Sequence, residues 1–324
     1  MKIVVLDGYT LNPGDISWEG LEKLGELSVY DRTTMNPADT SLIVERIGDA
    51  EVVFTNKTPL TKEAMEKMPN LRFVGVLATG YNVVDTQAAK DLGIIVSNVP
   101  NYGTATVAQT AIALLLELCH RVGAHDQAVK AGQWTTCPDY SFSNYPLIEL
   151  ADKTMGIIGL GRIGKATAKI AQAMGMNILA FDEYKDESIV SDTLKYAELE
   201  EVLEKSDVIL LHCALTDSSK GIINRETIAK MKEGVMIVNN SRGGLVVEKD
   251  LVDALESGKV YGAAVDVVSI EPILEDNPLL KAKNCFITPH LSGASREARI
   301  RLMKTAIDNL KAYIDGKPIN VVNK

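Results

Sequence analysis

TMGIIGLGRIGKATAKIAQAMGMNILAFD, residues 154–182, is the stretch from which the fold can be read. A short apolar run, Thr154–Ile158, leads into Gly159-Leu-Gly161-Arg-Ile-Gly164, and an amphipathic segment, Ile163–Met174, follows. A second apolar run, Asn177–Phe181, stops at Asp182. Strand, glycine-rich turn, helix and strand in this order form the βαβ unit that holds a dinucleotide. The three glycines would be weak evidence without that context. Gly159 permits the tight turn, Gly161 lets the backbone approach a pyrophosphate, and Gly164 allows helix and strand to pack closely. Arg162 and Ile163 open the helix, whose first N–H groups are available to phosphate oxygens. Asp182 stands 18 residues beyond Gly164, near the roughly 20 expected of the acid that holds a ribose. A carboxylate there repels a 2′-phosphate, so the pattern favours NAD over NADP, although Lys185 lies close by.

Outward from this unit, strand-like and helix-like segments alternate along most of the 324 residues. Apolar runs at Ile3–Leu6, Val52–Thr55, Phe73–Leu77, Ile94–Asn98, Val208–His212, Met236–Asn240, Ala263–Val268 and Cys285–Thr288 read as strands. Between them, Thr61–Lys67, Asp85–Asp91, Ala197–Lys205, Arg225–Met231 and Lys249–Ser257 read as helices. Such alternation predicts an α/β protein with doubly wound parallel sheets covered by helices. The length exceeds what one core usually supports, so two domains are expected. A turn at Val99–Gly103 precedes a long helix pattern from Thr106 to about Arg121, and a second long helix runs from Arg296 to about Ile314. These two helices read as crossovers. Residues 1–100 and 293–324 would then form one domain and residues 101–292 the cofactor domain, with a cleft between them where ligands prefer to bind.

The 34 Lys+Arg against 43 Asp+Glu give a net charge of −9, which argues against nucleic acid or an anionic membrane as partner. No apolar run approaches the roughly 20 residues that span a bilayer. The four cysteines, Cys119, Cys137, Cys213 and Cys285, show no metal-ligand spacing. That pattern favours reduced thiols, a cytoplasmic location and no metal.

Hydride transfer to a carbonyl needs a proton donor and a clamp for charge. Of the four histidines, His120 and His125 lie in or just after a helix pattern, and His212 ends a strand, where it lines the adenosine side or satisfies a backbone group. His290 follows the strand Cys285–Thr288, and ligands bind beyond the carboxyl ends of such strands. It is the preferred acid/base. Arg242, after Met236–Asn240, could grip a carboxylate with its planar fork. Glu271, after Ala263–Val268, could orient His290 and favour the imidazolium.

The segments GLGRIG (159–164), HCALT (212–216), NNSRGG (239–244), AAVDVVSIEP (263–272) and TPHLSG (288–293) together resemble the NAD-dependent D-2-hydroxyacid dehydrogenase family over nearly the full chain. The resemblance implies a flavodoxin-like substrate domain and a Rossmann NAD domain, with catalytic Arg242, Glu271 and His290. It implies cofactor contacts from Thr106, His212, Cys213, Thr216, Asn240, Ser241, Asp266 and Gly293 in addition to the βαβ residues. It also implies substrate contacts from Thr79 and Gly80 beside Arg242 and His290, a small 2-keto or 2-hydroxy acid as substrate, and a homodimer. Within the family, LDGYTLNPGDISWEGLEKLGELSVYDRT and GQWTTCPDYSF (132–142) are similar to glycerate dehydrogenases that reduce hydroxypyruvate. A D-lactate-type dehydrogenase and an NAD-sensing corepressor are the alternatives the resemblance leaves open.

Overall fold

The computed structural model describes all residues from 1 to 324, and the chain divides into two units, Met1–Gly103 with Gly293–Lys324, and Thr104–Ser292. The first break lies three residues beyond the expected 100/101. Residues 99–102 stay with the first unit because Val99 N donates to Ala78 O and the Arg301 Nε–H donates to Tyr102 O.

In the first unit, β1 (Lys2–Val5), β2 (Glu26–Val29), β3 (Val52–Thr55), β4 (Phe73–Val76) and β5 (Ile95–Ser97) form one parallel sheet in the order β2-β1-β3-β4-β5. This is the flavodoxin-like order. Alternate residues of each strand face opposite sides. Val4, Val53, Val74 and Val96 pack on one side with Ile43, Ala64 and Ala88 of the short helices Thr40–Ile47, Lys62–Glu66 and Thr86–Asp91. Ile3, Val5, Val52 and Phe54 pack on the other side under Leu302, Met303, Ala306 and Leu310 of the helix Arg296–Ile314. Ser295 caps that helix by accepting from Ala298 N. The edge of β5 is covered by residues 319–323, through Ser97 Oγ to Ile319 O and Val322 N to Val96 O.

In the second unit, β6 (Thr154–Ile158), β7 (Asn177–Phe181), β8 (Leu194–Tyr196), β9 (Val208–Leu211), β10 (Val235–Asn239), β11 (Val260–Val265) and β12 (Cys285–Ile287) form a parallel sheet in the order β12-β11-β10-β9-β6-β7-β8. Counted from β6 as first strand, six of them follow the Rossmann order, and β12 extends it by one. Ile157, Leu210, Val238 and Ala264 pack toward the helices Thr104–His120 and Arg162–Ala173. Ile158, Ile209, Ile237 and Val265 pack toward Leu199–Lys205, Arg225–Lys230 and Glu248–Ser257. The strand order reverses between β6 and β9. A ligand site is expected beyond their carboxyl ends.

The sequence reading missed β2, β8 and the helices Glu19–Glu22, Thr40–Ile47 and Val122–Lys130. β2 and β8 are edge strands with few buried residues, and Val122–Lys130 buries none, so neither pattern carries a clear apolar period. No single helix is long and apolar enough to cross a membrane.

Candidate active site

The turn after β6 is built around two close approaches. Gly159 has φ +99°, and a Cβ there would stand 2.5 Å from Cys213 N, at the end of β9. A Cβ on Gly164 would stand 2.3 Å from Gly159 O. Gly161 is different, because a Cβ on it would meet nothing within 4 Å. The helix Arg162–Ala173 begins there with no side-chain cap. Open space therefore faces the uncapped N–H groups of Arg162 and Ile163, which is the cradle a pyrophosphate requires. Asp182 accepts from Leu160 N (2.6 Å) and Tyr184 N (2.9 Å), so its carboxylate also fixes the glycine turn. These residues fit a bound dinucleotide.

The β9 loop carries His212, Cys213 and Thr216. His212 Nε2 lies 2.9 Å from Thr167 Oγ1, and burial pushes its imidazole down to about 4. Burial also pushes the Cys213 thiol up to about 11, while the Cys213 carbonyl accepts from Ser241 Oγ (2.7 Å). Thr216 is exposed, and its N–H donates to Ser219 Oγ (2.8 Å). Thr106, in the first turns of the helix Thr104–His120, is half-buried.

Arg242, Glu271 and His290 follow the ends of three neighbouring strands, β10, β11 and β12. His290 Nδ1 lies 2.6 Å from Glu271 Oε2, with both side chains half-exposed. A carboxylate can only accept, so Nδ1 carries the hydrogen and Nε2 is the nitrogen left for a substrate. His290 sits in the left-handed region at φ 52°. Its N–H is held by Asp266 O (2.8 Å) and Thr288 O (3.0 Å). Glu271 Oε1 accepts in turn from Val268 N at 3.3 Å. Arg242 is exposed, and its Nη1 donates to Ser241 O (2.7 Å) with no carboxylate at ion-pair distance. Gly243 brings its loop against the next: a Cβ there would lie 2.0 Å from the Val268 carbonyl.

Asp266 is 1% exposed. Its Oδ1 accepts from Thr288 Oγ1 (2.5 Å) and Leu291 N (2.9 Å), and its Oδ2 from Ser292 N (2.8 Å). A buried carboxylate is tolerated on such terms. Asp266, expected to touch the cofactor, therefore also holds the His290 loop from both sides. Asn240 donates through Nδ2 to Val107 O (2.9 Å) and Ser292 Oγ (3.2 Å), and its buried Oδ1 has no partner. Thr288 and Ser292 escaped the sequence reading, although the TPHLSG segment contains both. The Thr288 hydroxyl could have been suspected from the buried acid that the segment must satisfy, whereas Ser292 serves that acid through its backbone N–H.

Two expected residues lie in the first unit together with Gly293. Thr79 Oγ1 donates to Val99 O (2.9 Å), and Thr79 O accepts from Asn98 Nδ2 (2.7 Å). The N–H groups of Thr79 and Gly80 have no partner. Gly293 lies beside Tyr102, whose Oη would stand 3.2 Å from an added Cβ. Nearby in sequence to neither, Asp7 accepts from Asn56 N (2.7 Å), Lys57 N (2.5 Å) and Thr58 N (2.7 Å), shaping the loop after β3.

Residues 112–292 match the family model described as "D-isomer specific 2-hydroxyacid dehydrogenase, NAD binding domain". The chain is 62% identical to the hydroxypyruvate reductase of Blautia hydrogenotrophica, over all of both proteins. It is 40% identical to the glycerate dehydrogenase of Methylorubrum extorquens, covering 99% of this chain and 98% of that protein. Among solved structures it is similar to a glyoxylate reductase from Paecilomyes thermophila, with TM-score 0.82 and 28% identity, covering 99% of this chain and 98% of the other. By the match of its residues 112–292 and its full-length identity to these relatives, the chain belongs to the D-isomer specific 2-hydroxyacid dehydrogenase family.

Proposed function

We propose that the protein reduces hydroxypyruvate to D-glycerate with NADH, reversibly. The observation that carries the reading is the 2.6 Å His290–Glu271 pair, set beside Arg242 at the ends of adjacent strands. The full-length similarity to a hydroxypyruvate reductase supports the choice of substrate.

Bound NADH supplies a hydride to the carbonyl carbon of the keto acid. His290 gives the Nε2 proton to the carbonyl oxygen as charge develops there, and recovers a proton from solvent afterwards. Glu271, accepting from Nδ1–H, orients the doubly protonated ring that gives this proton. Arg242 grips the carboxylate and polarises the carbonyl with its second N–H edge. The free N–H groups of Thr79 and Gly80 are assigned to the substrate carboxylate, which makes the first unit the substrate domain and the second the NAD domain. Arg162, Ile163 and the Gly159–Gly164 turn are assigned to the pyrophosphate, and Asp182 to the adenosine ribose. Thr106, His212, Cys213, Thr216, Asn240, Ser241, Asp266 and Gly293 are assigned to the remaining cofactor contacts.

Four free cysteines support a cytoplasmic enzyme, and the charge of −9 supports one without nucleic-acid or membrane partners. The helix Val122–Lys130, which buries no residue, supports a homodimer formed through the second unit. Oxidation of NADH, followed by absorbance, with hydroxypyruvate, glyoxylate, pyruvate and bulkier keto acids tests the substrate. The highest kcat/KM is expected for hydroxypyruvate. A clear preference for pyruvate would replace this reading with a D-lactate-type enzyme, and no turnover of any keto acid would leave an NAD-binding protein.

A further inference from the structure

Two lysines stand beside the ribose acid, and each is held by a carboxylate. Lys165 lies in the first turn of the helix Arg162–Ala173, and its N–H donates to Gly161 O (2.9 Å), so it rises directly from the phosphate turn. Its Nζ lies 2.5 Å from Oδ2 of Asp186, in the loop after β7. Lys185 is held more loosely, with Nζ 3.6 Å from Glu198 Oε1 and both side chains more exposed. Asp182 fixes the phosphate turn from its other end, through Leu160 N. The Asp186 carboxylate chiefly raises the proton affinity of Lys165, and the charge of Asp182 adds to it. Residues 165, 182 and 186 therefore form one cluster, two acids and one ammonium, where the 2′-hydroxyl of an adenosine ribose is expected.

Asp186 is built into that place. Its N–H donates to Tyr196 Oη (2.9 Å), and its Oδ1 accepts from Ser188 N (3.2 Å) and Ser188 Oγ (2.5 Å). Lys165 first, and then Ser188, hold its carboxyl down at about 2, so it stays ionised throughout the neutral range. A half-exposed pair of this kind adds little to stability. Its effect on a ligand charge is another matter. A 2′-phosphate needs a cation within reach, and an NADP site supplies one. Here the cation exists but is occupied, and the carboxylate that occupies it also repels an incoming phosphate.

We propose that Asp186 is a second determinant of the choice of NADH over NADPH, acting by keeping Lys165 from a 2′-phosphate that this lysine would otherwise receive. Asp182 rejects the phosphate directly, whereas Asp186 is a positioning residue that acts through Lys165. The proposal rests on the reading of Asp182 as the ribose acid of an NAD enzyme and adds a residue to its selectivity. Titration of the full-length protein with NADH and with NADPH, without keto acid and followed by nucleotide fluorescence, tests it. The kcat/KM for each cofactor gives a second measure. Asp186→Asn frees Lys165 and should lower the ratio of the NADPH to the NADH dissociation constant about tenfold, the scale of one charge a few ångströms away in a partly solvated site. Asp186→Glu keeps the carboxylate and should keep the wild-type ratio. In Lys165→Met/Asp186→Asn the released cation is gone and the local charge equals that of wild type, so the ratio should return to the wild-type value. If the Asn only loosened the loop, both cofactors would weaken together and the ratio would not move, which would overturn the proposal. A ratio that stays low in the double variant would overturn it as well, because Lys165 would not be the receiving group. A wild type that binds NADPH as tightly as NADH would overturn the reading of Asp182 itself, and the proposal with it.

Discussion

Gly243→Ala tests how tightly the loops after β10 and β11 must fit. The added methyl would lie 2.0 Å from the carbonyl carbon and oxygen of Val268 and 2.6 Å from Ser269 N. That is about 1.5 Å inside the roughly 3.5 Å at which carbon atoms touch. All three atoms belong to the backbone, so no side chain can swing aside. One of the two loops must move by about that distance. Arg242 is the neighbouring residue on one side, and Val268 N on the other is hydrogen-bonded to Glu271, so the displacement falls between Arg242 and the Glu271–His290 pair, the proposed clamp and acid/base. A misplacement of about 1 Å can cost roughly 10²-fold in rate, and kcat/KM for hydroxypyruvate should fall by at least that factor. Overpacking of this kind costs about 1–3 kcal/mol, which for a unit of this size lowers Tm by about 2–12 °C. The assay is NADH oxidation under steady state beside a thermal melt and an NADH titration by fluorescence. A variant with kcat/KM within threefold of wild type and an unchanged melt would refute the idea that the Gly243–Val268 contact sets the site.

Gly161→Ala offers the contrast, since its methyl meets open space: Tm without cofactor should be unchanged while the NADH dissociation constant rises about tenfold or more. His290→Ala should lose about 10²–10⁴-fold in kcat and still bind NADH; near-normal turnover would remove His290 from proton transfer. Replacing Asp182 by Asn should narrow the preference for NADH over NADPH, measured as a ratio of kcat/KM, and an unchanged ratio would place ribose recognition elsewhere. His212 is held near 4, below its ordinary 6.5, because burial disfavours the imidazolium. The unfolded chain therefore binds an extra proton between those values, and stability should fall as pH drops from about 6.5 to 4. His212→Asn should flatten that part of the Tm-against-pH curve, and a curve of unchanged slope would contradict it.

The fold was legible wherever strands are buried on both faces. Val52–Thr55 and Val208–Leu211 are buried throughout and read as continuous apolar runs, as central parallel strands do. Edge strands lack that signature: Glu26–Val29 has no buried residue. The proposed site residues could be picked out because His290, Glu271 and Arg242 each follow an apolar run, and strand ends are where ligands bind. What holds them was not. The threefold grip of Asp266 on Thr288, Leu291 and Ser292 depends on β11 and β12 being neighbours, which no local pattern encodes. The burial of Arg121 was equally hidden, because it rests on Phe286, 165 residues away in sequence.

The helix Arg296–Ile314 has a consequence for how the molecule is made. It packs against one face of the first unit's sheet, yet it follows the last strand of that sheet by some two hundred residues. At roughly 5–20 residues per second, β5 leaves the ribosome about 10–40 s before its cover exists. All of the second unit is synthesised in that interval. The nascent chain must therefore carry an open apolar sheet face, bearing Ile3, Val5, Phe54 and Phe73, while a later portion of the same polypeptide completes its fold. The part of the protein translated first is the part finished last.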